Sequence, residues 1–212
     1  MGLGNAFCGD SYLKKEFEFL IKKFRIKNIV ETGTFKGDTT KEFSKMVEKV
    51  YSIESNKEYY LSSKKRLKED NNVKLFLGSS PVILKKILPG LEGNTLFFLD
   101  AHWGNYWPIL DELNEISKVD HMKKSVIVIH DFYVPGKNFG FDSYYYSNSK
   151  IELFLKKSIG FIGKIFKMHL IEKQKLDYDF IKDYIYKINP LYKYYYNKES
   201  EGLRRGVIFI HP

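Results

Sequence analysis

From Ile26 to Asp131 the chain holds five short β-rich apolar runs, each stopped by an acid or a glycine turn, with a stretch suited to a helix in each of the four gaps between them. Parallel strands can be joined only by crossovers lying on a face of their sheet, so this alternation constrains the fold more than any other feature. The strands expected are Ile26 to Glu31, Val50 to Glu54, Val73 to Leu77, Thr95 to Leu99 and Ser125 to Ile129. Thr95 to Leu99 is almost wholly apolar, as a central strand covered on both faces should be. The fold class expected is α/β, a doubly wound, mostly parallel Rossmann-like sheet with helices on both faces.

Helices fill the gaps. Asp10 or Ser11 caps a first one over Tyr12 to Phe24, where Phe17, Leu20, Ile21 and Phe24 recur on one face. Thr39 to Val47, Lys57 to Glu69, Val82 to Leu88 and Ile109 to Val119 supply the crossovers. Beyond Asp131 the style changes: Tyr178 to Ile188 reads as a helix, and Leu191 to Tyr196 and Val207 to Ile210 as strands forming an antiparallel C-terminal edge hairpin. Residues 147–175 fit least well. Ile151, Phe154, Leu155, Ile159, Ile162, Ile165 and Phe166 make an apolar helical stripe with lysines around it. The whole chain, 1–212, is thus expected to be a single domain carrying an inserted basic amphipathic lid or covering segment at 147–175.

Composition narrows the setting. Cys8 is the sole cysteine, which rules out an intramolecular disulfide and a cysteine-based zinc cage and favours a reducing compartment. No uncharged apolar run approaches the roughly 20 residues that span a bilayer, and the first ten residues lack a signal-peptide pattern, so a cytoplasmic location is expected. The net charge of +9 is compatible with a lysine-rich solvated surface, nucleic acid, acidic lipid or an anionic substrate.

Ligands in open α/β sheets collect at the carboxyl ends of strands, which makes the run-ending residues the candidate site. The first turn has the spacing Gly33-x-x-x-Gly37, not the G-x-G-x-x-G of a dinucleotide site. Glu54 ends the second strand about twenty residues on, where an acid can accept both hydroxyls of a ribose. Taken in order, the motifs are Glu31-Thr32-Gly33-Thr34-Phe35-Lys36-Gly37, Ile53-Glu54-Ser55-Asn56, Gly78-Ser79-Ser80, Phe98-Leu99-Asp100-Ala101-His102-Trp103, and His130-Asp131 with Pro135-Gly136. Over residues 26 to 136 this series resembles class I S-adenosylmethionine-dependent methyltransferases, closest to the catechol-type, metal-dependent O-methyltransferases.

The resemblance implies a cofactor, S-adenosyl-L-methionine, and assigns its contacts. Glu31, Gly33 and Gly37 would shape the methionine end, Glu54 would bind the ribose hydroxyls, Ser79 would face the adenine, and Trp103 with His102 would border the ring. Thr34, Phe35, Ser55, Gly78, Ser80 and Asp100 complete the expected cofactor-binding set. It also implies a divalent metal, Mg or Mn, on Asp100, His130 and Asp131. Two departures bear on the chemistry. His130 stands where the pattern has an Asp, and imidazole suits Mn better than Mg. The lysine base expected after Trp103 is replaced by Gly104-Asn105, leaving His102 or His130, beside Asp100, as candidate catalytic bases.

The function expected is therefore methyl transfer to a hydroxyl of a small-molecule acceptor (a sugar, polyol or phenolic), with metal assistance an open alternative. Two other readings remain. One is a nucleic-acid methyltransferase, suggested by charge and by Tyr144 to Tyr146, though the Asp-Ala-His-Trp motif disfavours it. The other is a non-catalytic adaptor that docks on a membrane surface or partner through 147–175. Oligomeric state is not legible.

Overall fold

The computed structural model describes residues 5–102, 107–147 and 171–212. Trp103 and most of the 147–175 segment, including its apolar stripe, lie outside the described residues. The main sheet has seven strands. β1 (Asn28–Thr32), β2 (Lys49–Glu54), β3 (Val73–Leu77), β4 (Thr95–Leu99) and β5 (Val126–Ile129) run parallel in the spatial order β3, β2, β1, β4, β5. A small two-stranded ladder pairs β6 (Ser143–Ser147) with β7 (Ile171–Lys175) antiparallel, so the two ends of the 147–175 segment are strand, where the sequence suggested a helix or lid. β8 (Lys193–Tyr196) and β9 (Ile208–His211) complete the main sheet as the expected antiparallel pair, with β9 inserted beside β5 and β8 at the edge.

The order reverses between β1 and β4. From β1 the chain winds outward through β2 and β3, then returns to β4 on the other side, which opens a crevice at the carboxyl ends of these two strands. Register sharpens it: Thr32 lies level with Ile53 on one neighbour and with Leu99 on the other, so three strands stop together.

Strand alternation divides the core. Leu96 and Phe98 of β4 join Ile29, Val50, Val126 and Val128 under α1 (Ser11–Phe24) and α2 (Asp38–Ser44), whose Phe17, Leu20 and Phe43 are buried there. Phe17 meets Phe43 and Phe98 edge to face, with ring centroids 4.9 and 5.3 Å away. Phe97 and Leu99 point the other way, into Val30, Ile53, Ile127 and Ile129, beneath α4 (Ser80–Ile87), α5 (Ile109–Ser117) and α6 (Tyr178–Ile188). α3 (Lys57–Arg66), between β2 and β3, buries only Ser63 among its side chains. No helix among the described residues is long and apolar enough to cross a membrane.

Local rules account for the helix boundaries. Asp10 caps α1 by accepting from the N–H groups of Tyr12 and Leu13, Asn56 does the same for α3, and Asp177 for α6. α4 begins two residues earlier than its apolar pattern suggests, because Pro81 is tolerated in a first turn whose N–H is unpaired anyway. That early start buries Ser80.

Candidate functional site

The turn after β1 has almost no freedom. Gly33 has φ +92°, and a Cβ there would stand 2.7 Å from the carbonyl oxygen of Asp100, so the backbones after β1 and β4 touch and only glycine fits. Phe35 follows in the left-handed region, φ 50°, costly for an aromatic residue. The conformation aims its N–H at Glu54, whose Oε2 accepts it at 2.7 Å, while Oε1 accepts from the N–H of Asn56 at 2.8 Å. Burial raises the pKa of the Glu54 carboxyl, and these backbone donors oppose the rise. A carboxylate can accept about four hydrogen bonds, so lone pairs remain on both oxygens.

Glu54 opens into a cleft of about 500 Å³ lined by Gly33, Phe35, Tyr59, Asp100, Ala101, His102, His130, Asp131, Cys8, Leu203 and Arg205. That volume suits a nucleoside-sized ligand. Phe35 and Tyr59 form one wall, ring edge to ring face with centroids 4.6 Å apart. Cys8 and Leu203, far apart in sequence, also line the cleft. The carbonyl of Cys8 accepts from the N–H of Leu203 at 3.3 Å, and a Cβ on Gly202 would lie 2.1 Å from that same carbonyl oxygen.

Glu31 does not line the cleft. It is buried beneath it, and its Oε2 accepts from the hydroxyls of Thr40 and Ser52, each at 2.5 Å, with Thr34 Oγ1 2.6 Å from Ser52 Oγ. Burial pushes its pKa up to about 8, against the pull of those hydroxyls. Such an acid is neutral near pH 7, which makes Glu31 a support for the turn and not a charge facing a ligand. Gly37, at φ +77°, caps α2, and a Cβ there would press on Leu67 and Ser63. Gly78 is tied to β2 by its N–H, donated to the carbonyl of Glu54 at 2.8 Å, and Ser79 is the N-cap residue of α4. Ser80 is buried, and its hydroxyl and that of Thr32 face the buried carboxyl of Glu112, whose pKa they pull down against burial. Ser55, beside Glu54, is half-buried.

At the far end of the cleft the charges are organised around a buried imidazole. His130 Nδ1 lies 3.0 Å from Asp100 Oδ1 and 3.2 Å from Asp131 Oδ1. Burial disfavours its cationic form, but the two carboxylates outweigh burial and raise its pKa well above the ordinary histidine value. Asp131, itself at φ 55°, is held well below the usual carboxylate range: burial works against this, and His130 and Arg205 prevail. Arg205 binds Asp131 through Nε and Asp142 through Nη2, the latter at 3.0 Å. His102 is the exposed imidazole of the group, with Nδ1 3.5 Å from Asp142 Oδ2 and 3.9 Å from Asp131 Oδ2.

Of the four acids expected to converge, Glu54, Asp100 and Asp131 do, and Glu31 lies underneath. Among the described residues, the group spaced to hold a metal is Asp100, His102 and Asp131, whose ligand atoms lie within 4.8 Å of one another. His130, the expected third ligand, instead turns Nδ1 onto both carboxylates. Asp142 and Arg205 escaped the sequence reading because they lie beyond the last motif. A faint signal existed: the chain has four arginines among its 35 basic residues, and Arg204 and Arg205 are adjacent.

No family model matches the chain, and no curated protein is similar to it in sequence. Solved structures resemble it in fold. An O-methyltransferase from Bacillus cereus in complex with SAH superimposes with a TM-score of 0.59 at 14% identity, covering 95% of this chain and 80% of that one. A Podospora anserina methyltransferase bound to SAH gives 0.54 at 16% identity over 94% and 77% of the two chains. A candidate caffeoyl-CoA O-methyltransferase from Staphylococcus aureus gives 0.53 at 15% identity over 96% and 84%. The chain therefore has the class I methyltransferase fold.

Proposed function

We propose that this protein binds S-adenosylmethionine and transfers its methyl group to a hydroxyl of a small molecule. One observation carries the reading: Glu54, pinned by the N–H groups of Phe35 and Asn56, presents its free lone pairs to a cleft whose floor is the Gly33–Asp100 contact. A ribose diol matches that acceptor, and the neighbouring structures that carry SAH share the fold which places it there. The residues fit the ligand: an acid at the sugar position, aromatic rings on one wall, and carboxylates at the end where a sulfonium would lie.

When bound, the cofactor would supply an electrophilic methyl for the acceptor oxygen, with the electron pair of the S–CH₃ bond left on sulfur. The protein must hold the acceptor hydroxyl in line and take its proton. His102 is the base in this reading, since it is exposed to the cleft and oriented by Asp142. His130, enclosed by two carboxylates, holds Asp100 and Asp131 in place. A divalent metal fits poorly, because Asp131 is already engaged by Arg205 and His130. No step is assigned to one.

Isothermal titration calorimetry with S-adenosylmethionine and SAH tests the reading. Wild type should bind both, and Glu54→Ala should bind each about a hundredfold more weakly, the loss of two hydrogen bonds to a charged group. Absence of binding by wild type at millimolar ligand would end it.

A further inference from the structure

We propose that Arg205 is a built-in cation that takes the place of a divalent metal in this site, and that the protein excludes metal from the Asp100, His102 and Asp131 group. The sequence resemblance implies a divalent metal, and three side chains here have the spacing for an ion, so metal would be the default expectation. The guanidinium contradicts it. Arg205 clamps Asp131 through Nε and Asp142 through Nη2, and its planar fork and permanent charge suit it to bridging two carboxylates.

The surroundings hold that clamp in place. Asp131 and Asp142 are tied to each other by a backbone hydrogen bond from the Asp142 N–H to the Asp131 carbonyl, 2.7 Å. Gly140 leaves room for the guanidinium, since a Cβ there would lie 2.9 Å from Nη1. Gly140 N–H donates to the carbonyl of Arg204, and Gly206 N–H donates back to the carbonyl of Gly140, both at 2.8 Å, which fixes the backbone on each side of Arg205. An ion bound to Asp131 would face this cation across a single carboxylate. Metal also needs free carboxylate oxygens, and Arg205 and His130 both take up Asp131 Oδ1, which leaves Oδ2 alone to ligate an ion in the field of the guanidinium.

The consequence for the acceptor is specific and rests on the methyltransferase reading. A metal activates two adjacent oxygens by chelating both. A site that holds an arginine there offers no chelation, so it suits an acceptor with one reacting hydroxyl beside His102, without need of a neighbouring oxygen.

The test is Mn²⁺ binding by the full chain, followed by electron paramagnetic resonance. Wild type should show no stoichiometric Mn²⁺ at this site. Arg205→Gln should gain Mn²⁺ affinity by about tenfold or more, the scale on which groups around a metal site act. Arg205→Lys, which keeps the charge, should stay metal-free. Micromolar Mn²⁺ binding by wild type overturns the proposal even if Arg205→Gln proves unfoldable, as does a folded Arg205→Gln that gains nothing, or a lysine variant that binds like the glutamine one. S-adenosylmethionine affinity is measured alongside, in EDTA and in Mn²⁺. If wild type fails to bind it, the methyltransferase reading falls while the manganese result stands on its own; if binding occurs only with Mn²⁺, the metal exclusion falls and the methyltransferase reading survives.

Discussion

Gly33 and His102 test opposite properties of the site. At Gly33 the constraint is steric: its φ of +92° and the Asp100 carbonyl 2.7 Å from any Cβ leave the β1 turn and the end of β4 no room to part without moving the cleft floor. Gly33→Ala should therefore cost about 1–3 kcal/mol in urea unfolding, as overpacking does, and weaken S-adenosylmethionine binding in the protein that folds. An alanine variant with wild-type stability and affinity would mean that the two backbones do not touch. His102 is exposed and unessential to packing, so His102→Gln should leave stability within about 0.5 kcal/mol. Once an acceptor is in hand, the same change should lower the methyl-transfer rate about 10² to 10⁴-fold with cofactor affinity unchanged. If His130 were the base instead, the His102 variant would retain its rate.

Elements repeat this division between what is local and what is not. The five parallel strands were legible because each apolar run stops at an acid or a glycine, and the closing hairpin because Leu191 to Tyr196 and Val207 to Ile210 are close in sequence. The small β6–β7 ladder was not, since Ser143–Ser147 and Ile171–Lys175 become strands only by finding each other across a long insertion. In the site, Glu54 could be placed from its position at a strand end, whereas the fate of Glu31 depended on α2 and β2 bringing Thr40 and Ser52 onto its carboxyl. The surroundings of His130 depended on the fold for the same reason: its Nδ1 lies against Asp100 and Asp131, which come from a neighbouring strand and a left-handed turn. The N-terminal cap shows how far such ties reach. Asp10 caps α1 with Oδ1 and accepts from Ser200 Oγ with Oδ2 at 2.6 Å, joining the start of the chain to the loop that carries Arg205. Asp10→Ala should cost about 1–2 kcal/mol through the cap, read as a lower urea midpoint. It should also loosen the Cys8–Leu203 contact, read as faster amide exchange at Leu203.

For the molecule as a whole, two buried acids impose a pH dependence on stability. Glu31 is held up to about 8 and Glu112 to about 7, from an ordinary value of 4.5, in both cases chiefly by burial. Between pH 4.5 and about 7 the folded protein keeps protons at both sites that the unfolded chain releases. A group whose folded pKa is raised favours the folded state less as pH climbs, so stability falls through this window, by up to about 1.4 kcal/mol per pH unit for each such group. The other strongly shifted groups act elsewhere. Asp131, depressed in the fold, contributes stability that is lost only at acid pH below its unfolded value, and His130, raised in the fold, contributes stability that is lost only as pH rises above 6.5. Glu54 and Asp142, also raised by burial, add a decline of the same sign, so urea titrations between about pH 5 and 6.5 isolate the two glutamates as the difference between wild type and their variants. Glu31→Gln keeps an oxygen to accept from Thr40 and Ser52, and Glu112→Gln keeps the shape of the neutral acid. Each should flatten the decline by up to about 1.4 kcal/mol per pH unit, and the pair of substitutions should flatten it by about the sum of the two. Variants whose stability falls with pH in parallel with wild type would show that both carboxyls ionise in the folded protein, and would return Glu31 to the set of charges available to a cationic ligand.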